Sequence, residues 1–252
     1  MGAGRGARWL GEGWQLFRAA PLGWLALSSV YLVGTNLLAL VPLLGILIAL
    51  VIVPPLTVGM MAAARATAAG GAPRIGLLAE GFRTETRSQL ALGVVYLACS
   101  MLIFAASTAA DSGGGLRAVL SSRDPSAEVE FRAVLFPLAV MALLYMPVLM
   151  MFWFSPPLVA WHATGPARAL FFSFVACLMN WRAFLAYGLS AMLMLVVAPG
   201  LALLALRIVV GVEFKVAAVS LVFPLLVFLL PCLFASFYVS YRDVFGPSND
   251  KV

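Results

Sequence analysis

Few residues in this chain carry reactive side chains, and their spacing limits the chemistry open to them. His162 is the single histidine, beside Trp161 and shortly after Pro156-Pro157-Leu158. One histidine cannot build HExxH or a multi-histidine metal site. As a general base it would need a nucleophile and an orienting acid beside it, and the sequence holds no GxSxG. A hydrogen-bonding role at the membrane surface suits it better than catalysis. Cys99, Cys177 and Cys232 lie in or beside apolar stretches without a CxxC pair or a Cys/His cluster. Such an odd, dispersed set suits small buried hydrophobes rather than a disulfide framework or a metal site. Gly2, Gly4 and Gly6 follow no strand, so they form no nucleotide fingerprint. The expectation is a chain with no catalytic centre, no cofactor and no metal.

The elements that carry these residues belong to a membrane. Of 252 residues, 63% are hydrophobic and 10% charged, and the mean hydropathy is +1.05. A soluble domain carries about 25% charged residues, and so little polar surface cannot clothe a water-facing exterior. Soluble enzyme, nucleic-acid binder, disulfide scaffold and disordered chain are excluded on that ground, although a net charge of +6 would otherwise invite nucleic acid.

Charges are absent from residues 19–64, 88–110, 133–167, 183–206 and 216–241. One span takes about 20 residues, so the first stretch holds two, with a tight turn where Pro42 and Gly45 punctuate it. Spans are predicted at 22–41, 44–64, 89–110, 133–156, 183–206 and 216–240. The first is too long for a signal-peptide core and stays as a helix. An even number puts both termini on one side, which then holds eleven of the sixteen Lys and Arg residues and the whole net charge. The positive-inside rule makes that side cytoplasmic. All six tryptophans, Trp9, Trp14, Trp24, Trp153, Trp161 and Trp181, fall at the same side and read as headgroup anchors.

Before each odd-numbered span lies a segment with a helical stripe. Trp9, Gly13 and Phe17 share one face; Ile75, Leu78, Ala79 and Phe82 share another; Leu170, Phe171, Phe174, Val175 and Leu178 form a third, with Ser173 and Asn180 outside it. These segments read as amphipathic helices in the membrane interface or, for the highly charged second, equally as a helix packed on the ends of the spans. The fold class is therefore all-α: six transmembrane helices as three tandem hairpins, each preceded by a cytoplasmic interfacial helix. They form one integral membrane domain over 1–252, with units at about 8–65, 74–166 and 167–242 and a periplasmic loop at 111–132.

Internal similarity supports the units. LALSSVYL at 25–32 matches LALGVVYL at 90–97, pairing Tyr31 with Tyr96. On the inward helices Pro54-Pro55-Leu56, Pro156-Pro157-Leu158 and Pro231-Cys232-Leu233 recur. Arg65 and Arg242 each follow the first proline by eleven residues, and Arg168 follows by twelve. Pro54, Leu56, Arg65, Pro156, Leu158, Arg168, Pro231, Leu233 and Arg242 thus make a repeat motif. Proline near a helix end can bend the chain toward the next segment. Pro137, Pro147, Pro199 and Pro224 lie deeper, as kinks held by neighbouring helices or as breaks around a path.

No predicted span contains Asp, Glu, Lys or Arg, so the usual marker of ion coupling or intramembrane catalysis is missing. The remaining polarity is mild. Asn36, Ser100, Ser107 and Ser190 form the candidate intramembrane polar site, with Asn36 the costliest to bury. Helix packing in lipid uses such groups, together with small residues like Ala105 and Ala109.

The three hairpins invite comparison with mitochondrial carriers, but the odd helices lack the Pro-x-acid-x-x-base signature of that family. GWQLFRAAPLGW, the PLLG turn, PPLVAWH, LFFSFVACLMNWRAFLAYG and SYRDVF resemble, over nearly the whole chain, a family of uncharacterised proteobacterial inner-membrane proteins named after a Burkholderia locus. The resemblance implies a six-helix, multi-pass protein of the bacterial inner membrane, and no activity comes with it. More distantly the chain is similar to the membrane domain attached to some glycerophosphodiester phosphodiesterases, which implies lipid association. Two functions follow as expectations. One is a non-enzymatic accessory or scaffold protein whose partners are the lipid bilayer and a membrane protein or a second copy of itself. The other is a transporter or lipid-handling protein with a pathway through the bundle.

Overall fold

The computed structural model describes residues 1–111, 114–115, 131–210 and 214–246. Most of the expected periplasmic loop at 111–132 lies outside the described residues. Regular structure within them is helical throughout: α1 (Gly4–Ala19), α2 (Pro21–Ala39), α3 (Leu44–Ala68), a 3-10 turn (Ile75–Ala79), α4 (Glu80–Arg83), α5 (Thr86–Ala109), α6 (Phe131–His162), α7 (Pro166–Met179), α8 (Trp181–Met192), a π-helical turn (Leu193–Val197), α9 (Ala198–Val210) and α10 (Phe214–Phe245). Five stretches among the described residues are long and apolar enough to cross a membrane: Pro21–Leu38, Leu44–Ala68, Thr86–Ala109, Val134–His162 and Trp181–Ile208. The sixth expected span, 216–240, falls within α10.

Local chemistry explains the boundaries. Pro21 opens α2, where its missing N–H is no loss and its fixed φ suits the first turn. The turn between α2 and α3 falls where Pro42 and Gly45 indicate. Leu43 adopts φ 61°, ψ −61°, and the Leu44 N–H donates to the Pro42 carbonyl at 2.7 Å, the strained form of γ-turn. Gly45 lies so close to the Leu38 carbonyl that a Cβ has no room. Leu43 is 71% exposed, so Leu43→Gly gives up little packing while relieving the backbone. The variant is expected to gain about 1 kcal/mol, seen as a higher thermal midpoint in detergent; a lower midpoint would show that the turn is not strained.

The prolines divide by context. α6 runs unbroken through Pro137, Pro147, Pro156 and Pro157. Pro199 instead follows the π-helical turn Leu193–Val197, a local widening that accommodates a ring with no N–H to give.

The second half of α3 is the centre of the bundle. Pro54, Pro55, Val58, Gly59, Met60, Met61, Ala62, Ala63, Ala64 and Thr67 are buried there, against α5, α6 and α10 and the 75–83 segment. Glycines set the closest approaches: Gly93 of α5 meets the Val51 carbonyl, and Gly59 meets the backbone of Leu77 and Leu78. Trp24 and Leu27 of α2, both fully buried, pack with Met60, Ala63 and Ala64.

The three segments expected in the membrane interface are built into the protein. α1 wedges between α8 and α10, the 75–83 segment packs on α3, and α7 packs on α6. Each runs antiparallel to its support. Along α1, Arg5 meets Asp243, Gly13 meets Cys232 and Ser236, and Phe17 meets Phe228. On α7 it is the face opposite the expected stripe that makes the contact with α6. Phe171 and Leu178 point outward, 62% and 53% exposed, while Ala169, Ser173 and Cys177 are buried. Small and polar residues permit close helix contact where the surrounding solvent is itself apolar. The Ser173 hydroxyl donates to the Met150 carbonyl at 2.7 Å and accepts from the Phe154 N–H at 2.9 Å, tying α7 to α6.

Candidate functional site

The polar side chains converge where the beginning of α1 meets the end of α10. Arg5 donates twice to Asp243, at 2.5 and 2.7 Å, and the Trp9 indole N–H donates to the same carboxylate at 2.8 Å. Arg242 donates to Glu12 at 2.6 Å, and Arg5 stands 3.6 Å from Glu12. Asp243 is only 7% exposed. Its hydrogen bonds and charge raise the pKa of Arg5 against the opposing effect of partial burial, which keeps the guanidinium firmly charged. Two helices far apart in sequence are thereby clamped.

A second cluster joins α3, α4, α6 and α10. Arg65 donates to Glu80 at 2.8 Å and stacks over the Trp161 ring at 4.4 Å. The Trp161 N–H reaches Glu80 at 3.4 Å, and its ring meets Tyr241 with centroids 5.1 Å apart. His162 Nε2 and the Tyr241 hydroxyl share a bond of 2.6 Å. The lone histidine thus has a phenol as its partner, and Glu12, Glu80 and Asp243 each face arginine. This chemistry braces helices.

The two clusters are one pattern used twice. Leu10-Gly11-Glu12-Gly13-Trp14 parallels Leu78-Ala79-Glu80-Gly81-Phe82, a likeness that reading for hydrophobic stripes passes over although the Glu-Gly-aromatic triplet is legible. Gly13 sits against the Cys232 carbonyl and Gly81 against the Pro55 carbonyl, the second positions of their proline motifs. Glu12 and Glu80 then meet Arg242 and Arg65, eleven residues beyond the first prolines. The third unit departs from this. α6 ends at His162, so Arg168 lies on α7, exposed, with buried Ala169 after it. The proline-to-arginine spacing therefore has two structural instances, and Arg168 is not the third.

The tryptophans also separate. Trp9 and Trp24 are fully buried in protein, which removes both from contact with headgroups. Trp153 and Trp161 are half-buried among aromatic partners. Trp14 and Trp181, 46% and 53% exposed, keep free ring surface. The candidate polar residues are scattered over three helices. Asn36 is exposed on α2 and bonds the Leu32 carbonyl at 2.8 Å; Ser107 is buried on α5 and bonds the Ile103 carbonyl at 2.8 Å. Ser100, also on α5, has a buried hydroxyl with no partner among the described residues, and Ser190 is half-buried on α8.

Two cavities lie beside α6, and none of those four residues lines either. One, of about 130 Å³, is lined by Pro54, Thr57, Tyr96, Tyr145, Phe152 and Pro156 among others, with the Tyr96 and Tyr145 hydroxyls bonded to each other. The other, of about 510 Å³, is a groove between α6, α7 and α8 bounded by Met150, Trp153, Cys177, Trp181, Gly188 and Met192. Its wall is nearly all hydrocarbon. The polar atoms at its floor are engaged, Tyr187 with Ser236 at 2.8 Å and Trp153 with Ser240 at 3.2 Å.

A probable inner membrane protein of Burkholderia thailandensis is 35% identical to this chain over 254 residues, covering 98% of this chain and 93% of that relative. The chain belongs to that protein's family. No family model and no solved structure matches it. Membership agrees with the five apolar helices, and it places the braced clusters and the apolar groove in an inner-membrane protein.

Proposed function

We propose that this family member spans the inner membrane six times as three tandem hairpins, with α10 as the sixth span and both termini in the cytoplasm. The eleven-to-five division of Lys and Arg supports this orientation, as does the meeting of α1 and α10 through charged residues. Reporter fusions after residues 70 and 175 are expected to give cytoplasmic signals, and those after 120 and 212 periplasmic ones; a cytoplasmic signal from residue 120 overturns the arrangement.

Within that arrangement the protein acts as a non-enzymatic accessory protein that handles lipid. The observation that carries this reading is the 510 Å³ groove, which is apolar and open at its side. Its size is that of a small-ligand site, and its lining suits a hydrocarbon chain rather than a polar solute. Purification in mild detergent is expected to retain phospholipid at a fixed ratio, and Gly188→Trp, which fills the groove from a position with open space beside it, is expected to lower that ratio. Equal lipid retention by the variant would overturn the reading.

A scaffold role toward another membrane protein or a second copy has one observation of its own. Gly34, within α2, has nothing within 4 Å of where a Cβ would stand, an opening that allows close approach of a second helix. Cysteine cross-linking at position 34 in membranes is expected to trap a partner; recovery of uncross-linked monomer alone counts against it.

A further inference from the structure

We infer that the α6–α8 groove is a site for an anionic phospholipid, with one acyl chain in the groove and the phosphate at Arg182. The inference rests on the lipid-handling reading above and adds the headgroup class.

Length is the first argument. The α8 wall runs from Trp181 to Met192, about 16 Å at 1.5 Å per residue. One leaflet of a hydrocarbon core is about 15 Å deep, half of its full thickness. A groove of this length admits the chain of a lipid from one leaflet and ends where that leaflet's headgroups begin. The groove also opens sideways among outward-facing apolar residues. Leu178, Leu185, Leu189 and Met192 are 53%, 55%, 61% and 56% exposed, so a chain enters directly from the bilayer.

Charge is the second. The groove's polar end is the junction of α7 and α8, where Asn180 separates the two helices. Trp181, half-exposed, lines this end, at the depth where indoles prefer the boundary between chain and headgroup. The exposed Arg182 guanidinium lies over the Trp181 ring at 5.5 Å. Arginine matches a phosphate in shape as well as charge. No acidic side chain occurs between Phe131 and Met192, so α6, α7 and α8 offer no carboxylate of their own to compete for Arg182. The opposite end of the groove, at Met146, Leu189 and Met192, is wholly apolar. This polarity, cation above and hydrocarbon below, is that of a phospholipid.

The full-length protein, in nanodiscs containing a trace of phosphatidylglycerol with a photoactivatable acyl chain, tests the assignment. A second arm uses the same acyl chain on zwitterionic phosphatidylcholine. Adducts located by mass spectrometry are expected on residues 146–153 and 178–192. Phosphatidylglycerol is expected to exceed phosphatidylcholine severalfold there, with the preference shrinking at high salt. Arg182→Gln, on an exposed side chain, is expected to equalise the two lipids, and Gly188→Trp to remove adducts of both. Groove adducts that show no headgroup preference, or a preference that survives Arg182→Gln, overturn the anionic site while leaving the acyl-chain groove. Adducts spread evenly over all outward-facing helices overturn the lipid-handling reading itself.

Discussion

Gly93→Val is expected to destabilise the protein by about 2–3 kcal/mol, seen as a large drop in thermal midpoint in detergent. A Cβ at Gly93 would fall within van der Waals distance of the Val51 carbonyl and clash with the α3 backbone. That carbonyl is unusual. Its normal helical donor would be the N–H of residue 55, which is proline, so it has no N–H to accept from within α3. The bare Cα of Gly93 lies where a weak C–H···O contact can cover the oxygen. Valine would push α5 away and leave a buried acceptor without any contact, adding a polar cost to a steric one. Gly34→Val, where the space is open, serves as the control for the β-branched substitution and is expected to shift the midpoint far less. Equal shifts in the two variants would show that α3 and α5 do not approach through Gly93.

Asp243→Ala is expected to free α1 from α10 at a cost of about 2 kcal/mol, less than for a fully buried ion pair because Arg5 is 32% exposed. The substitution removes three hydrogen bonds at once and leaves the Trp9 N–H without its acceptor. Limited proteolysis checks this, with new cleavage expected between residues 5 and 18. Asp243→Asn keeps an oxygen for Trp9 but loses the charge and one of the two acceptors for Arg5, so its cleavage should be intermediate. Protection equal to that of the unaltered chain in both variants would mean that α1 is held by its apolar face and glycine contacts alone. Those contacts are substantial: Trp9 and Phe17 are buried, and Gly13 lies 2.6 Å, measured from where a Cβ would stand, from the Cys232 carbonyl.

Hydropathy located the apolar helices well because length and composition alone govern that signal. The α2–α3 turn was equally plain, since Pro42 and Gly45 act locally. Amphipathic reading was incomplete at α7 for a physical reason. It turned Phe171 and Leu178 toward lipid, and they do face outward, but it gave the opposite face no partner, and there Ser173 gains two hydrogen bonds to α6. At α1 the stripe of Trp9, Gly13 and Phe17 was right, but its target was α10 and α8 rather than lipid. The candidate polar residues illustrate the same limit. Asn36 and Ser107 satisfy themselves on their own helices, an outcome no spacing rule separates from a shared site.

Composition and charge spacing were enough to establish an all-helical membrane protein, because excluding charge from hydrocarbon is a constraint each segment obeys independently. The partners of each segment were a matter for tertiary structure. Pairing of Glu12 with Arg242 and Glu80 with Arg65, capture of α1 by α10, and a groove formed by α6, α7 and α8 all depend on chain crossings between distant residues. Lipid solvates every apolar face equally well, so hydrophobicity cannot choose among them; close backbone approach at glycine and a few charged hydrogen bonds make the choice.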